Sequence, residues 1–211
     1  MYVPAHFRED DTSVLHGIVR DNSFGLLVTA ENGVPFASHL PFLLDSGRGA
    51  CGTLRAHMAR ANPQLHHLQT EAEVVAIFEG PHGYISPAWY TAQPSVPTWN
   101  YVAVHAYGTL RILGDDDLGR LLEDLVRTHE AGLPEPWDYA LPPEYLRKMT
   151  AAICGFEIEI IRLEGKLKLS QNRSAEDQQR VIAALNRSDE PGQVALARAM
   201  AETARRDEGR R

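Results

Sequence analysis

The sequence predicts an α+β fold, in which a small and mostly antiparallel β-barrel carries peripheral helices. In many short segments apolar and polar residues alternate, as they do in strands, and turn residues separate these segments as in hairpins. Only a few segments have helical periodicity. The sequence pattern contains no strand–helix–strand units and no glycine-rich phosphate loop. We therefore expect any bound phosphate to be held by side chains.

The predicted elements follow one another along the whole chain. A first helix over residues 10–22 precedes a strand over 23–29, and Asn32-Gly33 is a strong hairpin signal before a return strand over 34–44. The remaining predictions are strands at 50–54, 74–79, 84–86, 101–113, 153–163 and 166–169, turns at 80–83 and 164–165, and helices near 59–70, from 115, and over 143–149, 174–186 and 191–206.

Composition limits the class of protein. The chain has 211 residues, is 44% hydrophobic and carries a formal charge of -7, which argues against a broad nucleic-acid surface. No apolar run is long enough to cross a bilayer, and the first residues do not resemble a signal peptide, so we expect a cytoplasmic protein without membrane partners. Cys51 and Cys154 lie in apparent strands, and we expect free thiols there rather than a disulfide.

One strand carries unusual chemistry for a core element. Residues 96–108 include Trp99, Asn100, Tyr101 and His105, where an ordinary core strand would repeat valine and isoleucine. Aromatic, amide and imidazole groups beside an apolar face suit a flat ligand with a polar rim. The segment therefore favours a cofactor-binding protein.

Arg60 and Asn62 follow a predicted strand, at the start of a predicted helix. A guanidinium group, an amide and free backbone N–H groups at a helix start suit a phosphate dianion. The alternative is a solvated arginine beside Asn62-Pro63, a common turn pair. The residues alone leave both interpretations open.

A second polar cluster lies at the end of the last predicted strand. Lys166 and Lys168 share a face, and Gln171 provides both a donor and an acceptor, as a ring with carbonyl and imide edges requires. The alternative is a polar strand end that runs into a helix cap at Ser174.

Three histidines and Ser38 have side chains of the types used in metal binding or catalysis. His39, His57 and His105 are candidates for a metal or haem site, but no pair has the spacing of a structural zinc site. Ser38 precedes His39, but the two face opposite sides of a strand and no nucleophile elbow is present. We therefore assign neither a catalytic residue nor a metal ligand.

Six segments, taken together, resemble one known family. The chain is similar to the FMN-binding negative transcriptional regulators of the PaiB type, which have the flavin-binding split-barrel fold. The resemblance covers about residues 1–187, with Ala88 and Leu167 as departures from the expected serine and tryptophan. The matching segments are 1–7, Ser38-His39-Leu40-Pro41, 57–64, 80–90, 96–101 and 168–173.

The resemblance implies a homodimer that binds FMN at its interface, with each site built by both chains. It implies a split-barrel domain over 1–187 with a helical insertion near 115–150, followed by a helical tail over 188–211. The cofactor contacts carried over lie in four segments: Ser38, His39, Leu40 and Pro41 at the isoalloxazine edge, Arg60 and Asn62 at the phosphate with His57 nearby, Trp99, Asn100 and Tyr101 closing the site, and Lys168 and Gln171 at the polar rim.

Three functions remain open from the sequence. The first is negative regulation of transcription, in which direct DNA binding has weak support from charge. The last two helices loosely resemble a helix-turn-helix, but we expect them to pack inward through Leu185, Val194 and Leu196. The others are a flavin-dependent oxidoreductase, such as an NAD(P)H:flavin reductase or a pyridoxamine-oxidase-like enzyme, and a haem-binding protein of the same fold with His39 or His57 as axial ligand.

Overall fold

The computed structural model describes residues 1–69 and 73–209, without the side chains of residues 69, 207 and 208. The described residues form an antiparallel sheet of eight strands together with five α-helices and three short 3-10 helices. This confirms the predicted α+β class. The strands are β1 (Arg8–Glu9), β2 (Phe24–Glu31), β3 (Val34–Pro41), β4 (Leu43–Asp45), β5 (Thr53–Ala59), β6 (Glu73–Ile85), β7 (Thr98–Ile112) and β8 (Ile153–Lys168).

Most of the helices lie where the sequence periodicity predicts them. The α-helices are α1 (Thr12–Asp21), α2 (Asp115–Glu130), α3 (Pro143–Thr150), α4 (Ala175–Leu185) and α5 (Pro191–Gly209), and the 3-10 helices are Ala5–Phe7, Pro63–Gln69 and Pro87–Trp89. Acidic residues occupy the first turn of α2, where their negative charges interact favourably with the positive end of the helix dipole. The predicted cap of α4 is confirmed, because the Ser174 side chain accepts a hydrogen bond from the Asp177 N–H over 3.1 Å.

Strand order in the sheet is β3-β2-β6-β7-β8-β5-β4, with β1 paired to β8. The predicted hairpin of β2 and β3 is confirmed. Its register places Glu31 opposite Val34 and Phe24 opposite Pro41. Asn32 and Gly33 form its turn with φ values of 52° and 80°. Two positive φ values belong to the tight turn that fits the twist of a hairpin.

The chain divides into two compact units. Unit 1 comprises Met1–Ile18, Glu79–Val104 and Glu164–Arg211, and unit 2 comprises Val19–Phe78 and His105–Leu163. Unit 1 has a core of buried apolar residues from its strands and from α4 and α5, among them Ile85, Val102, Leu169, Val181, Leu185 and Leu196. In unit 2 the stripe of α2 buries Leu118, Leu121 and Leu125 against Leu43.

Two predicted turns are wrong, because each lies inside a continuous strand. Residues 80–83 belong to β6, where a Cβ on Gly83 would meet a methyl group of Leu196 at 3.0 Å. Residues 164–165 belong to β8, where a Cβ on Gly165 would lie 2.2 Å from a methyl group of Leu15. At both positions glycine permits a helix to approach the strand closely, and no turn is made.

Three smaller expectations are also wrong. The helix predicted near Ala59 is a 3-10 helix that begins at Pro63, because residue 59 still pairs in β5. Cys51 lies in the turn before β5 instead of a strand, although both cysteines are free as expected. Val194 is 42% exposed, whereas Leu185 and Leu196 are fully buried.

We predict that Gly108→Ala destabilises the protein by about 3 kcal/mol, near the upper end of the usual cost of overpacking. A Cβ at this position in β7 would lie 2.2 Å from the backbone oxygen of Glu159 in β8, so the strands would have to separate. Urea unfolding measures the effect. The matched control is Gly119→Ala in α2, where nothing lies within 4 Å, and alanine should stabilise by about 0.5–1 kcal/mol. Equal effects at the two positions would contradict the close contact.

Asp177 gives unit 1 a pH-dependent interaction. Its carboxylate accepts hydrogen bonds from the Thr91 N–H (2.6 Å) and Thr91 hydroxyl (2.8 Å). These bonds, the backbone bond first, lower the pKa of Asp177 in the folded protein. The resulting stability should be fully present above the unfolded pKa of about 3.9 and be lost as pH falls below it. Asp177→Asn should therefore lower the urea midpoint at pH 7 more than at pH 3, and an equal decrease at both would contradict the assignment.

Candidate functional site

A tight turn after β5 carries Arg60 and Asn62. The Asn62 N–H donates to the oxygen of Ala59 over 2.9 Å, while the Arg60 N–H donates to the oxygen of Ala152 over 2.9 Å. The Arg60 Nε also donates to the oxygen of Ala151 over 3.1 Å. This bond orients the exposed guanidinium, and its two terminal nitrogens have no hydrogen-bond partner among residues 1–69 and 73–209.

Asn62 and Ser38 meet although 24 residues separate them. The Asn62 Nδ2 donates to the Ser38 Oγ over 2.9 Å, and the Asn62 Oδ1 accepts from the Gln64 N–H over 3.0 Å. Because the Ser38 oxygen accepts this bond, its own hydrogen is free to donate, with no acceptor in the described part of the chain. The structure therefore brings together Asn62, predicted at the phosphate, and Ser38, predicted at the ring edge. Their hydrogen bond leaves the Ser38 hydroxyl able to donate to a ligand.

Gln64 holds this arrangement in place, a role that the residue pattern alone did not predict. Its side chain is fully buried, and the two hydrogens of its Nε2 are shared among the oxygen of Leu27 (3.1 Å), the hydroxyl of Thr29 (3.1 Å) and the oxygen of Phe36 (3.2 Å). Its Oε1 is buried without a partner in the described residues. The bonds of Nε2 fasten the 3-10 helix to the β2–β3 hairpin. The signal in the sequence was a glutamine directly after Asn62-Pro63, too polar to be buried without such partners.

The other predicted contacts from β3 complete the end of that strand. His39 is exposed and stacks against Phe24 with ring centroids 6.0 Å apart, whereas Leu40 is buried and Pro41 is half-buried. In the hairpin, Ser38 pairs with Leu27 and His39 with Leu26. The structure thus places Ser38 through Pro41 together at the end of one paired strand.

His57 lies in β5 opposite Gly155 and is half-buried. Burial lowers the pKa of its imidazole, so the ring is neutral near pH 7. Its Nδ1 is buried and has no partner in the described residues. In the same unit, the Nδ1 of His105 lies 3.4 Å from the hydroxyl oxygen of Tyr107. No three His, Cys, Asp or Glu side chains of the described residues are grouped as metal ligands would be.

Unit 1 contains the two lysines of β8. Lys168 donates from Nζ to the hydroxyl of Thr98 and to the backbone oxygen of Trp99. Burial, and then the charge of Lys166, lower the pKa of Lys168. Lys166 donates to the oxygen of Tyr2 over 3.0 Å.

The predicted amides of unit 1 bind to the protein itself. Asn100 is 1% exposed, and its Nδ2 donates to the Ser170 Oγ over 2.9 Å. Gln171 accepts from the Leu169 N–H over 2.8 Å and donates to the oxygen of Leu167 over 2.6 Å. Both amides therefore shape the chain after β8, where Ser170 has a φ of 69°.

The aromatic members of this group are more accessible. Trp99 is 55% exposed and meets Tyr84 edge to face, with ring centroids 6.3 Å apart. Tyr101 is half-buried on the same strand. None of the helices in the described ranges is long and apolar enough to span a membrane.

Comparison with known proteins identifies relatives of this chain. It is 36% identical over 202 residues to the protease synthase and sporulation protein PAI 2 of Bacillus subtilis, which covers 95% of this chain and 96% of the relative. It is 34% identical over 224 residues to an uncharacterized protein of Emericella nidulans, with coverage of 87% and 89%.

Two solved structures share the fold. The flavocytochrome Anf3 from Azotobacter vinelandii superposes with a TM-score of 0.63 at 16% identity, over 84% of this chain and 78% of the other. The FAD and heme binding protein from Mycobacterium smegmatis gives 0.61 at 19% identity, over 84% and 79%. These similarities confirm the split-barrel fold.

A family model described as "Putative FMN-binding domain" matches residues 1–162, more than half of the chain. The match confirms the predicted cofactor. The PAI 2 relative, similar along nearly its whole length, confirms the resemblance stated from the sequence motifs. The chain therefore belongs to this FMN-binding family of split-barrel proteins, and FMN is its cofactor.

Proposed function

We propose that this chain binds the phosphate of FMN at the Ala59–Asn62 turn and acts as a negative regulator of transcription. The observation that supports the phosphate assignment is the set of donors without acceptors in unit 2. The terminal nitrogens of Arg60 and the hydroxyl hydrogen of Ser38 have no partner in the described residues, although the bonds of Ala151, Ala152 and Asn62 hold both groups in place.

This donor set fits a phosphate dianion. A guanidinium group can donate two parallel hydrogen bonds to phosphate oxygens, and a hydroxyl adds a third. The terminal nitrogens of Arg60 are available to a ligand, because the hydrogen bond to Ala151 uses only its Nε. The 3-10 helix that follows has seven residues, so we assign the phosphate to side chains and not to a helix dipole.

The remaining cofactor contacts stay predictions. In unit 2 we propose that the Ser38–Pro41 strand end lines the isoalloxazine edge through its backbone. In unit 1 the exposed Trp99 and the charged Lys168 are the groups most available to a ligand, while Asn100 and Gln171 would act by holding the backbone. Bound FMN supplies reversible electron transfer, and a nearby cation favours its reduced anionic form.

The regulatory part of the proposal rests on the resemblance to the PaiB-type family. Direct reading of DNA has little support, because the net charge is -7 and α4 and α5 bury Leu185 and Leu196 in the core of unit 1. We therefore propose that regulation acts through a partner or through the redox state of the flavin. A homodimer, which the resemblance implies, is part of the proposal.

We predict that Arg60→Ala weakens FMN binding by about tenfold to a hundredfold, because a charge-assisted hydrogen bond contributes about 1.5–3 kcal/mol. The dissociation constant is measured by equilibrium dialysis and absorbance, with the released flavin identified by chromatography. Arg187→Ala, at an exposed arginine, is the matched control and should bind FMN as the natural chain does. Unchanged FMN affinity in a folded Arg60→Ala variant would contradict the phosphate assignment.

The regulatory proposal predicts that a set of transcripts rises when the protein is removed from its own cells. Genome-wide transcript levels are compared in a deletion strain complemented with the natural chain, Arg60→Ala or Arg187→Ala. The natural chain and Arg187→Ala should restore repression, and Arg60→Ala should fail because it binds less FMN. Transcript levels that are the same with and without the protein would exclude regulation, whatever the FMN affinity.

A further inference from the structure

Two adjacent lysines in unit 1 form a concentrated positive charge. The chain has only three lysines among its 21 lysine and arginine residues, and two of them, Lys166 and Lys168, lie on the same face at the end of β8. Lys166 is 8% exposed, which is rare for a lysine. The third, Lys148, is exposed on α3.

Neither lysine of this pair has a carboxylate partner among the described residues. Lys166 donates to the Tyr2 oxygen over 3.0 Å and lies 5.4 Å and 5.2 Å from the ring centroids of Tyr2 and Tyr101. Lys168 donates only to the oxygens of Thr98 and Trp99. Carbonyl groups and ring faces solvate an ammonium group but leave its charge uncompensated, which is costly for a buried group.

Exposed aromatic residues lie next to both lysines: the ring of Tyr2 lies near Lys166, and the backbone oxygen of Trp99 accepts from Lys168. Tyr2 is 82% exposed, Trp99 is 55% exposed and Tyr84 is 49% exposed, and the last two are in edge-to-face contact. A flat ring can pack on such side chains without displacing any core residue. Nothing in the FMN phosphate assignment uses Lys166, Tyr2 or Tyr84.

We propose that Lys166 and its neighbours form a second binding site, for a small anion that carries an aromatic ring, an aryl carboxylate or an aryl phosphate. The anionic group bonds to the ammonium of Lys166 and compensates the charge of the pair, and the ring packs on the exposed ring of Tyr2. The ligand is compact because only 8% of Lys166 is accessible. The net charge of -7 also opposes a polyanion such as nucleic acid.

The test uses the full chain saturated with FMN, so that flavin sites are filled. Calorimetric titrations use benzoate and phenyl phosphate as probes, with benzyl alcohol as the ring without charge and inorganic phosphate as the charge without ring. We expect at least one of the two aryl anions to bind at least tenfold more tightly than both controls. The stronger of the two identifies a carboxylate or a phosphate as the natural group. Failure of both aryl anions to bind would overturn the proposal. Lys166 would then have only a structural role, through its hydrogen bond to the Tyr2 oxygen in the N-terminal segment.

Substitutions assign the site to Lys166. Lys166→Met keeps most of the unbranched side chain without its charge, and should weaken binding of the aryl anion by about tenfold or more with unchanged FMN stoichiometry. Lys148→Met, the matched control, should leave both ligands unaffected. If Lys166→Met does not fold, Tyr2→Leu serves instead, since it removes an exposed ring and keeps the backbone oxygen that bonds to Lys166.

Two results would overturn the inference. If folded Lys166→Met or Tyr2→Leu binds the aryl anion as the natural chain does, the ligand lies elsewhere. If Lys166→Met loses FMN, Lys166 belongs to the flavin site and not to a second one. Loss of FMN by Arg60→Ala bears only on the proposed phosphate site, so the failures of the two proposals are distinguishable.

Discussion

The structure depends on how closely its backbone segments can approach one another across three long strands. β6, β7 and β8 have 13, 15 and 16 residues, and each contains a glycine at a crowded point. At Gly108 a Cβ would lie 2.2 Å from a backbone oxygen of the neighbouring strand, and at Gly165 it would lie 2.2 Å from a methyl group of α1. Strands of this length stay continuous because no side chain pushes their neighbours away.

The same glycines explain where sequence-based prediction succeeded and where it failed. Asn32-Gly33 was recognisable as a hairpin because a tight turn needs positive φ values, which a local dipeptide encodes. Gly83 and Gly165 have ordinary extended backbones and are needed only because Leu196 and Leu15 approach from distant parts of the chain. Local sequence does not distinguish these two uses of glycine, so both strands were predicted to break.

The candidate site shows the same division. Residue types indicated which segments carry polar chemistry, and the family motifs indicated FMN. Hydrogen-bond partners depend on tertiary contacts, such as the 2.9 Å bond from Asn62 to Ser38, and no local pattern encodes them. Asn100 and Gln171 look equally available in the sequence, but their amides are engaged by Ser170 and by the backbone around residue 168.

The attachment of Arg60 to Ala151 and Ala152 connects the proposed phosphate site to the end of α3. None of the residues of that helix is fully buried, and the two backbone oxygens that follow it accept hydrogen bonds from Arg60. Thermodynamic linkage is reciprocal: a ligand that favours one position of the guanidinium also favours the position of the segment that holds it. A phosphate held by Arg60 would therefore stabilise the segment after α3 as well as the cofactor, so one bound group would restrain two parts of unit 2.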